Sequence, residues 1–290
     1  MGMIDRQSRD LPLDAHLHTD LSHDSAVPLD DYARQAVERG IAEVAITDHV
    51  DFAPSAPGYG ETTFEQRERI VREAAERWAE RGVAIRFGVE ITWDSRYATE
   101  IRDHLAWHAY DFVIGSVHVY RDSPYAPDHV AGWVAGRSMA EIVAPYFIEV
   151  AAGARTGLFD AMGHIDFVKR FLTPHVTAAD LAAAPELYDP ILAALVESGT
   201  ALEINTSGLR SPAQEAFPSP AVVARFHAMG GRAVTIGSDA HTADSFAWAL
   251  ADGYESAAAA GFSSLAFRRG GDRVELELTS SPNVAAGNSL

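Results

Sequence analysis

The chain has 290 residues, 47% of them apolar and 22% charged, which supplies a sizeable core and argues against wholesale disorder. Its formal net charge of -18 opposes nucleic-acid backbones and anionic membranes at long range, and no Lys/Arg cluster offsets it. The absence of cysteine excludes disulfides, thiolate nucleophiles and Cys-ligated zinc.

Met1–Asp10 is polar and mixed in charge, with no apolar run of signal-peptide type. No stretch approaches the ~20 apolar residues of a membrane span, so a cytoplasmic protein is expected. The first apolar run, Leu11–Asp14, leads into His16-Leu17-His18, and Asp24 follows with His23 beside it. On a strand, residues two apart face the same side, so both imidazoles can reach one point. Leu29–Arg39 reads as a helix, and Ala42–Thr47 as a strand ending in Asp48 and His49. The clearest helix is Phe64–Arg81. Ile70, Val71, Ala74, Ala75 and Trp78 form its apolar stripe, and Glu65–Arg69, Glu68–Arg72 and Glu73–Arg77 stand four apart.

Strand Ile85–Ile91 carries Glu90 at its end, and Phe112–Val117 is followed by His118. The segment from Tyr97 to His129 holds Trp107, Tyr120 and Tyr125, with Trp133 just beyond. It reads as packing or as a lid over a substrate ring. A helix at Ser138–Ala152 precedes strand Phe159–Gly163, after which stand His164 and Asp166. Helix Pro185–Ser198 precedes strand Ala201–Asn205, which bears Glu203 and Asn205. Helix Pro220–Met229 precedes strand Ala233–Gly237, followed by Asp239-Ala240-His241. A helix at Asp244–Ala260, a hairpin at Phe267–Leu278 turning on Gly270-Gly271, and a fraying tail at Thr279–Leu290 complete the chain. No repeat or linker divides it, so one domain is expected over residues 1–290, with its core at about 11–270.

Strand–helix alternation implies a parallel sheet, either a closed barrel or an open doubly wound sheet. No Gly-x-Gly-x-x-Gly follows the first strand. The His-x-His pair near the start and Asp-x-His near the end meet only if the sheet curls round, which favours the barrel.

A lone histidine at a strand end is ordinarily a hydrogen-bonded structural residue. Six successive strand ends with His, Asp or Glu are different, because burying so many polar groups is costly without a partner. Divalent metals are the natural partner for imidazole and carboxylate. Glu90, alone between histidine-bearing neighbours, is the candidate bridging carboxylate of a two-metal site with ions about 3.5–4 Å apart. Arg210, after a tight Asn205-Thr206-Ser207-Gly208 loop, and Arg170, with Lys169 as its competitor, are candidates to grip an anionic group. Asp48, Asp166 and Ser238 are candidates either to orient metal-bound histidines or to cap the turns that follow them. His104, His108, His129, His175 and His227 fall outside the pattern and read as surface or structural.

The pieces DAHLHTDLSHDS (14–25), AITDHVDF (45–52), FGVEITWD (87–94), GSVHVY (115–120), GHIDFVKR (163–170), LEINTSGLR (202–210) and TIGSDAHTADSFA (235–247) occur in one order over nearly the whole chain. In these pieces the sequence resembles the polymerase and histidinol phosphatase (PHP) family, and most of all its stand-alone histidinol-phosphate phosphatases. The resemblance implies an α/β fold, a distorted (β/α)7 barrel, with three divalent metal ions (Zn, Mn or Fe). By position, His16, His18, Glu90 and Asp239 would hold one ion. Glu90, His118 and His164 would hold the second, and Asp24, His49 and His241 the third. Many relatives have His where Asp24 stands, so His23 is the competitor there.

The expected activity is metal-dependent hydrolysis of a small phosphate ester, L-histidinol phosphate first. Glu90, Asp239 and His241 would be its catalytic groups, and Arg170 and Arg210 would bind substrate. Another small ester or nucleotide, and a barrel that keeps metals without chemistry, are the alternatives. No nucleic-acid or membrane partner is expected.

Overall fold

The structure, a computed structural model, describes residues 11–60, 62–269 and 272–278. Eight strands form one parallel sheet: β1 (Leu13–Leu17), β2 (Glu43–Ile46), β3 (His49–Val50), β4 (Ala84–Thr92), β5 (Phe112–Ser116), β6 (Ala161–Met162), β7 (Ala201–Asn205) and β8 (Val234–Gly237). Both β2 and β3 pair with β4, at Val44–Ile85 and His49–Glu90, so they act as one stave interrupted at Thr47-Asp48. Seven staves therefore run from β1 to β8.

The sheet curls round on itself. His18 N–H donates to the Ala240 carbonyl (3.0 Å), and Asp239 N–H donates to the His16 carbonyl (2.9 Å). These bonds join the first strand to the extension of the last and leave a nearly closed barrel. The strands are short and buried on both faces, as an all-parallel sheet under helices demands, with buried polar groups such as His16 and Glu203 among their apolar residues.

Helices occupy the connections, since parallel strands need crossovers. Leu29–Arg39 ends on Gly40 at φ 71°, where glycine avoids the Cβ penalty of a left-handed cap. Phe64–Ala79 buries Arg67, Val71, Ala74 and Trp78. Its salt bridges depart from the expected set. Arg69 meets Glu73 and Arg72 meets Glu68, whereas Arg77 reaches across to Asp30 (3.0 Å). Trp78 Nε1 donates to the same Asp30 (2.6 Å), so that docking between helices takes Arg77 away from Glu73.

The helix expected at Ser138–Ala152 runs Met139–Arg155, with Ser138 and Glu141 forming a capping box and Pro145 inside it. Pro185–Ser198 is a short 3-10 turn, Pro185–Tyr188, followed by a helix at Asp189–Ser198. The helix expected at Asp244–Ala260 is also split, into Ala243–Ser245 and Leu250–Ala259. Between them Ala247 and Ala249 take φ of 52° and 50°. That break lets Phe246 bury against Tyr32, and it lets the Trp248 carbonyl accept from Thr206 Oγ1 (2.7 Å).

The last hairpin pairs β9 (Ser264–Arg269) with β10 (Asp272–Glu277), beginning three residues before the expected Phe267. Its Gly270-Gly271 turn, the tail Thr279–Leu290 and the stretch Met1–Asp10 lie outside the described residues. Among the described residues, no helix is long and apolar enough to cross a membrane.

Candidate metal centre and phosphate cleft

In a parallel barrel every strand ends on the same rim, and the loops leaving that rim build the site. Here the rim gathers all nine residues expected as metal ligands. His16 lies within β1 and His18 just after it; His49 opens β3; Glu90 sits inside β4, which runs two residues beyond it. His118, His164, Asp239 and His241 follow β5, β6 and β8, and Asp24 stands on the loop after β1.

Glu90 is the hub. Its Oε2 lies 3.3 Å from His16 Nε2, 3.3 Å from His18 Nε2 and 3.1 Å from His49 Nδ1. Its Oε1 lies 2.9 Å from His164 Nε2 and 3.4 Å from His118 Nε2. Asp239 Oδ1 is 3.4 Å from both His18 Nε2 and His241 Nδ1. Asp24 Oδ2 is 3.2 Å from His49 Nε2 and 2.9 Å from His241 Nε2. His23, the competitor of Asp24, stands 3.9 Å from the same carboxylate.

Three sets of these atoms are close enough to share an ion: His18, Asp24, His49 and His241; His16, His18 and Asp239; and His49, Glu90 and His118. The sets cut across the expected division: His18 also joins the Asp24 set, and Glu90 is absent from the set of His16, His18 and Asp239. His49 faces both Asp24 and Glu90, while His164 reaches Glu90 without belonging to a set.

The donor set suits divalent metal ions. The Nε2 atoms of His16 and His18 are buried and only 3.0 Å apart. Glu90 Oε2 and His49 Nδ1, also buried, approach to 3.1 Å without the alignment of a hydrogen bond. Lone pairs crowded this way need a cation. Without metal, protons take that place. Burial lowers the pKa of His18, but hydrogen bonds to Asp239 and Glu90 outweigh it and raise the imidazole to about 9. Burial and attraction act on His16 in the same opposed way, and the charges of Glu203, Glu90 and Asp239 leave it well above its usual value. His49 ends at about 4, because burial and the neighbouring His18 charge defeat the pull of Glu90. Burial raises Glu90 and Asp239 but the histidines prevail, leaving both carboxylates well below their usual range.

A cleft of about 530 Å³ opens over this cluster. Arg170 and Arg210 both line it, with Phe167, Ser207 and Ser211. Arg170 is exposed and its guanidinium sits 5.8 Å from the centre of the Phe167 ring. Lys169, its competitor, is 2% exposed and faces away from the cleft. Its Nζ meets Asp166 (2.9 Å), Glu215 (3.0 Å) and the Ala216 carbonyl (3.1 Å). Arg210 reaches the cleft with part of its donor set engaged. Nη1 donates to Ser245 O (3.1 Å), and Nη2 to the carbonyls of Ser238 (3.1 Å) and Asp239 (3.2 Å).

The expected orienting groups have other partners. Asp48 accepts from Thr19 N–H (2.6 Å) and Oγ1 (2.9 Å), pinning the loop after β1. Asp166 pairs with Lys169 and Tyr188, and Ser238 N–H donates to Asp14. The histidine rings instead find Glu203 (His16 Nδ1, 2.6 Å) and Thr92 Oγ1 (His118 Nδ1, 3.0 Å). Arg67 was also without an expected role. It is buried, and Nη1 donates to the His49 (2.6 Å) and Asp48 (3.3 Å) carbonyls. Its spacing from Val71, Ala74 and Trp78 puts it on the inward stripe, which was the available signal.

The aromatic segment divides. Tyr125 Oη and Trp133 Nε1 both donate to the Ile142 carbonyl, which is packing. Trp107 is 84% exposed. Tyr120 donates to Asp51 (2.8 Å) and lines a second cleft, of about 410 Å³, that shares His118 with the first. His104 and His108 sit together beside Tyr110, away from the cluster.

Residues 14–207 match the family model of the PHP domain. A probable histidinol-phosphatase of Deinococcus radiodurans is 30% identical over 259 residues, covering 88% of this chain and 96% of that protein. A second, from Thermotoga maritima, is 29% identical, covering 79% and 84%. The crystal structure of histidinol phosphate phosphatase from Lactococcus lactis, complexed with zinc, L-histidinol and phosphate, superposes with a TM-score of 0.79 at 25% identity. It covers 91% of this chain and 98% of that one.

Proposed function

The chain belongs to the PHP domain family, and on that premise we propose that it is a metal-dependent phosphomonoesterase that hydrolyses L-histidinol phosphate to L-histidinol and phosphate in histidine biosynthesis. The observation that carries this reading is a single cleft lined by Glu90, His49, His118 and His164, with the fully buried His16 and His18 against Glu90 and two guanidiniums on its wall.

Three divalent ions are assigned. His16, His18, Glu90 and Asp239 would hold one; Glu90, His118 and His164 a second; Asp24, His49 and His241 a third. Zinc, manganese and iron all suit these donors. Divalent ions, when bound, lower the pKa of water from 15.7 to about 7 and offset the charge of a phosphoryl group.

The remaining work falls to the chain. Arg170 offers its free guanidinium face to phosphoryl oxygens, and Arg210 adds a second positive charge from across the cleft. Glu90, ringed by histidines, keeps two parts of the centre in fixed relation. Asp24 and His241 are the most solvent-reached of the nine. Phe167 under Arg170 holds that guanidinium over the cleft.

The test is inorganic phosphate release from L-histidinol phosphate by purified protein with manganese, against a chelator-treated control. Chelator-sensitive release, at least tenfold faster than from other phosphate monoesters, supports the reading. Release from other esters but not this one keeps the metals and discards the substrate. No release with metals bound would favour a barrel that keeps metals without chemistry.

A further inference from the structure

Of the seven staves, β7 alone brings no candidate metal ligand to the rim, yet it carries two fully buried polar side chains, Glu203 and Asn205. Glu203 Oε1 lies 2.6 Å from His16 Nδ1, and Oε2 accepts from the His164 N–H (2.9 Å) and from Asn205 Nδ2 (3.0 Å). The same Asn205 amide reaches Asp239 Oδ2 (3.3 Å), which Ser207 Oγ also meets (3.1 Å). One carboxylate thus touches residues from β1 and the β6 end, and through Asn205 the β8 end.

Two backbone facts give these contacts weight. His164 and Asp239 take φ of 24° and 51°, a region that non-glycine residues rarely adopt and hold only where the surroundings enforce it. Packing around Glu203 is close: a Cβ on Gly237 would stand 2.3 Å from His16 Cβ and 2.8 Å from Glu203 Oε1.

Three donors converge on Glu203, and an ionised carboxylate is the side chain that only accepts. By accepting at His16 Nδ1 it leaves the Nε2 lone pair directed at the cluster. We propose that Glu203 is a positioning residue shared by two ions. It holds His16, assigned to the first, and His164, assigned to the second, so that affinity at both positions depends on one carboxylate. This rests on the assignment of ions made above.

Glu203→Gln turns part of the acceptor into a donor facing a donor. Glu203→Asp keeps the carboxylate but shortens its reach by one methylene, so it cannot span both partners. Each is compared with wild type by competition titration of manganese against a chromogenic chelator and by bound-metal stoichiometry. Both variants are expected to bind two ions at least tenfold more weakly, with the ion at Asp24, His49 and His241 unaffected. Their kcat falls while KM for L-histidinol phosphate stays within about twofold, because Arg170 and Arg210 are untouched; the metal-free Glu203→Asp protein keeps the wild-type circular dichroism spectrum but unfolds at lower urea, since a buried donor loses its acceptor. Wild-type affinity in a folded variant, weakening of one ion alone, or failure of both variants to fold overturns the proposal. A wild-type chain that binds no divalent ion overturns the metal reading, and this inference with it.

Discussion

Lys169 and Arg170 are adjacent in sequence and opposite in environment, and exchanging each for methionine separates their roles. Lys169→Met keeps the length of the side chain and removes its charge. Asp166, fully buried, then loses its 2.9 Å ion pair and retains Tyr188 Oη at 2.8 Å, while its Oδ1 already has no hydrogen-bond partner. Glu215 is partly exposed and can turn to water. One buried carboxylate left uncompensated costs about 3–5 kcal/mol. Burial already raises the Asp166 pKa above 3.8 in spite of Lys169. A folded-state acid with a raised pKa destabilises above that pKa and is relieved when protonated, so the loss should shrink as pH falls from 8 toward 5. Urea unfolding at both pH values measures it. Arg170→Met removes an exposed charge over Phe167, worth about 0.5–1 kcal/mol of stability. It should instead raise KM for the ester about tenfold or more, the loss of one charge-assisted hydrogen bond worth about 1.5–3 kcal/mol. The reasoning is refuted if Lys169→Met unfolds within 1 kcal/mol of wild type and raises KM while Arg170→Met does neither.

Other perturbations follow from the same geometry. Because the folded-state pKa of His18 is raised from 6.5 to about 9, its protonation stabilises the metal-free fold below 6.5, and that contribution is lost as pH rises through about 9. His49, lowered to about 4, is neutral in both states above 6.5 and does not oppose this. Melting temperature with chelator should therefore fall between pH 6.5 and 9, and a flat curve would contradict the proton-for-metal account. Asp24→Asn should remove one ion from the stoichiometry and lower metal-free stability, since His241 and His49 lose the carboxylate between them; full stoichiometry would transfer the third position to His23. Gly237→Ala would place a Cβ 2.3 Å from His16 Cβ, and should destabilise by at least about 1–3 kcal/mol in urea unfolding. Wild-type stability there would show that β1 and β8 do not pack as closely as described.

Much of this protein is legible along the chain. Period-two and period-3.6 patterns are local, so β2, β4, β5, β7 and β8 and the helices at Leu29–Arg39 and Phe64–Ala79 appear close to their expected places. The PHP motifs point to nine residues, of which the folded rim brings eight into sets that could share an ion and places the ninth, His164, beside Glu90. Local patterns fail where a distant contact decides. The helix expected from Asp244 breaks because Phe246 has a pocket beside Tyr32, and Arg77 leaves Glu73 because Asp30 lies on a neighbouring helix.

The sequence by itself determined the fold class, the donor types and their order around the barrel, because residue type and strand position are written in the chain. Tertiary structure alone decided which neighbour of a pair faces the cleft, which carboxylate stands behind which imidazole, and what Arg67 and Glu203 touch. Lys169 and Arg170 differ by one position in sequence, yet burial beside Asp166 commits one to the interior and leaves the other to the cleft. Those outcomes depend on desolvation and on distances between residues as far apart as 16 and 203, which no local pattern encodes.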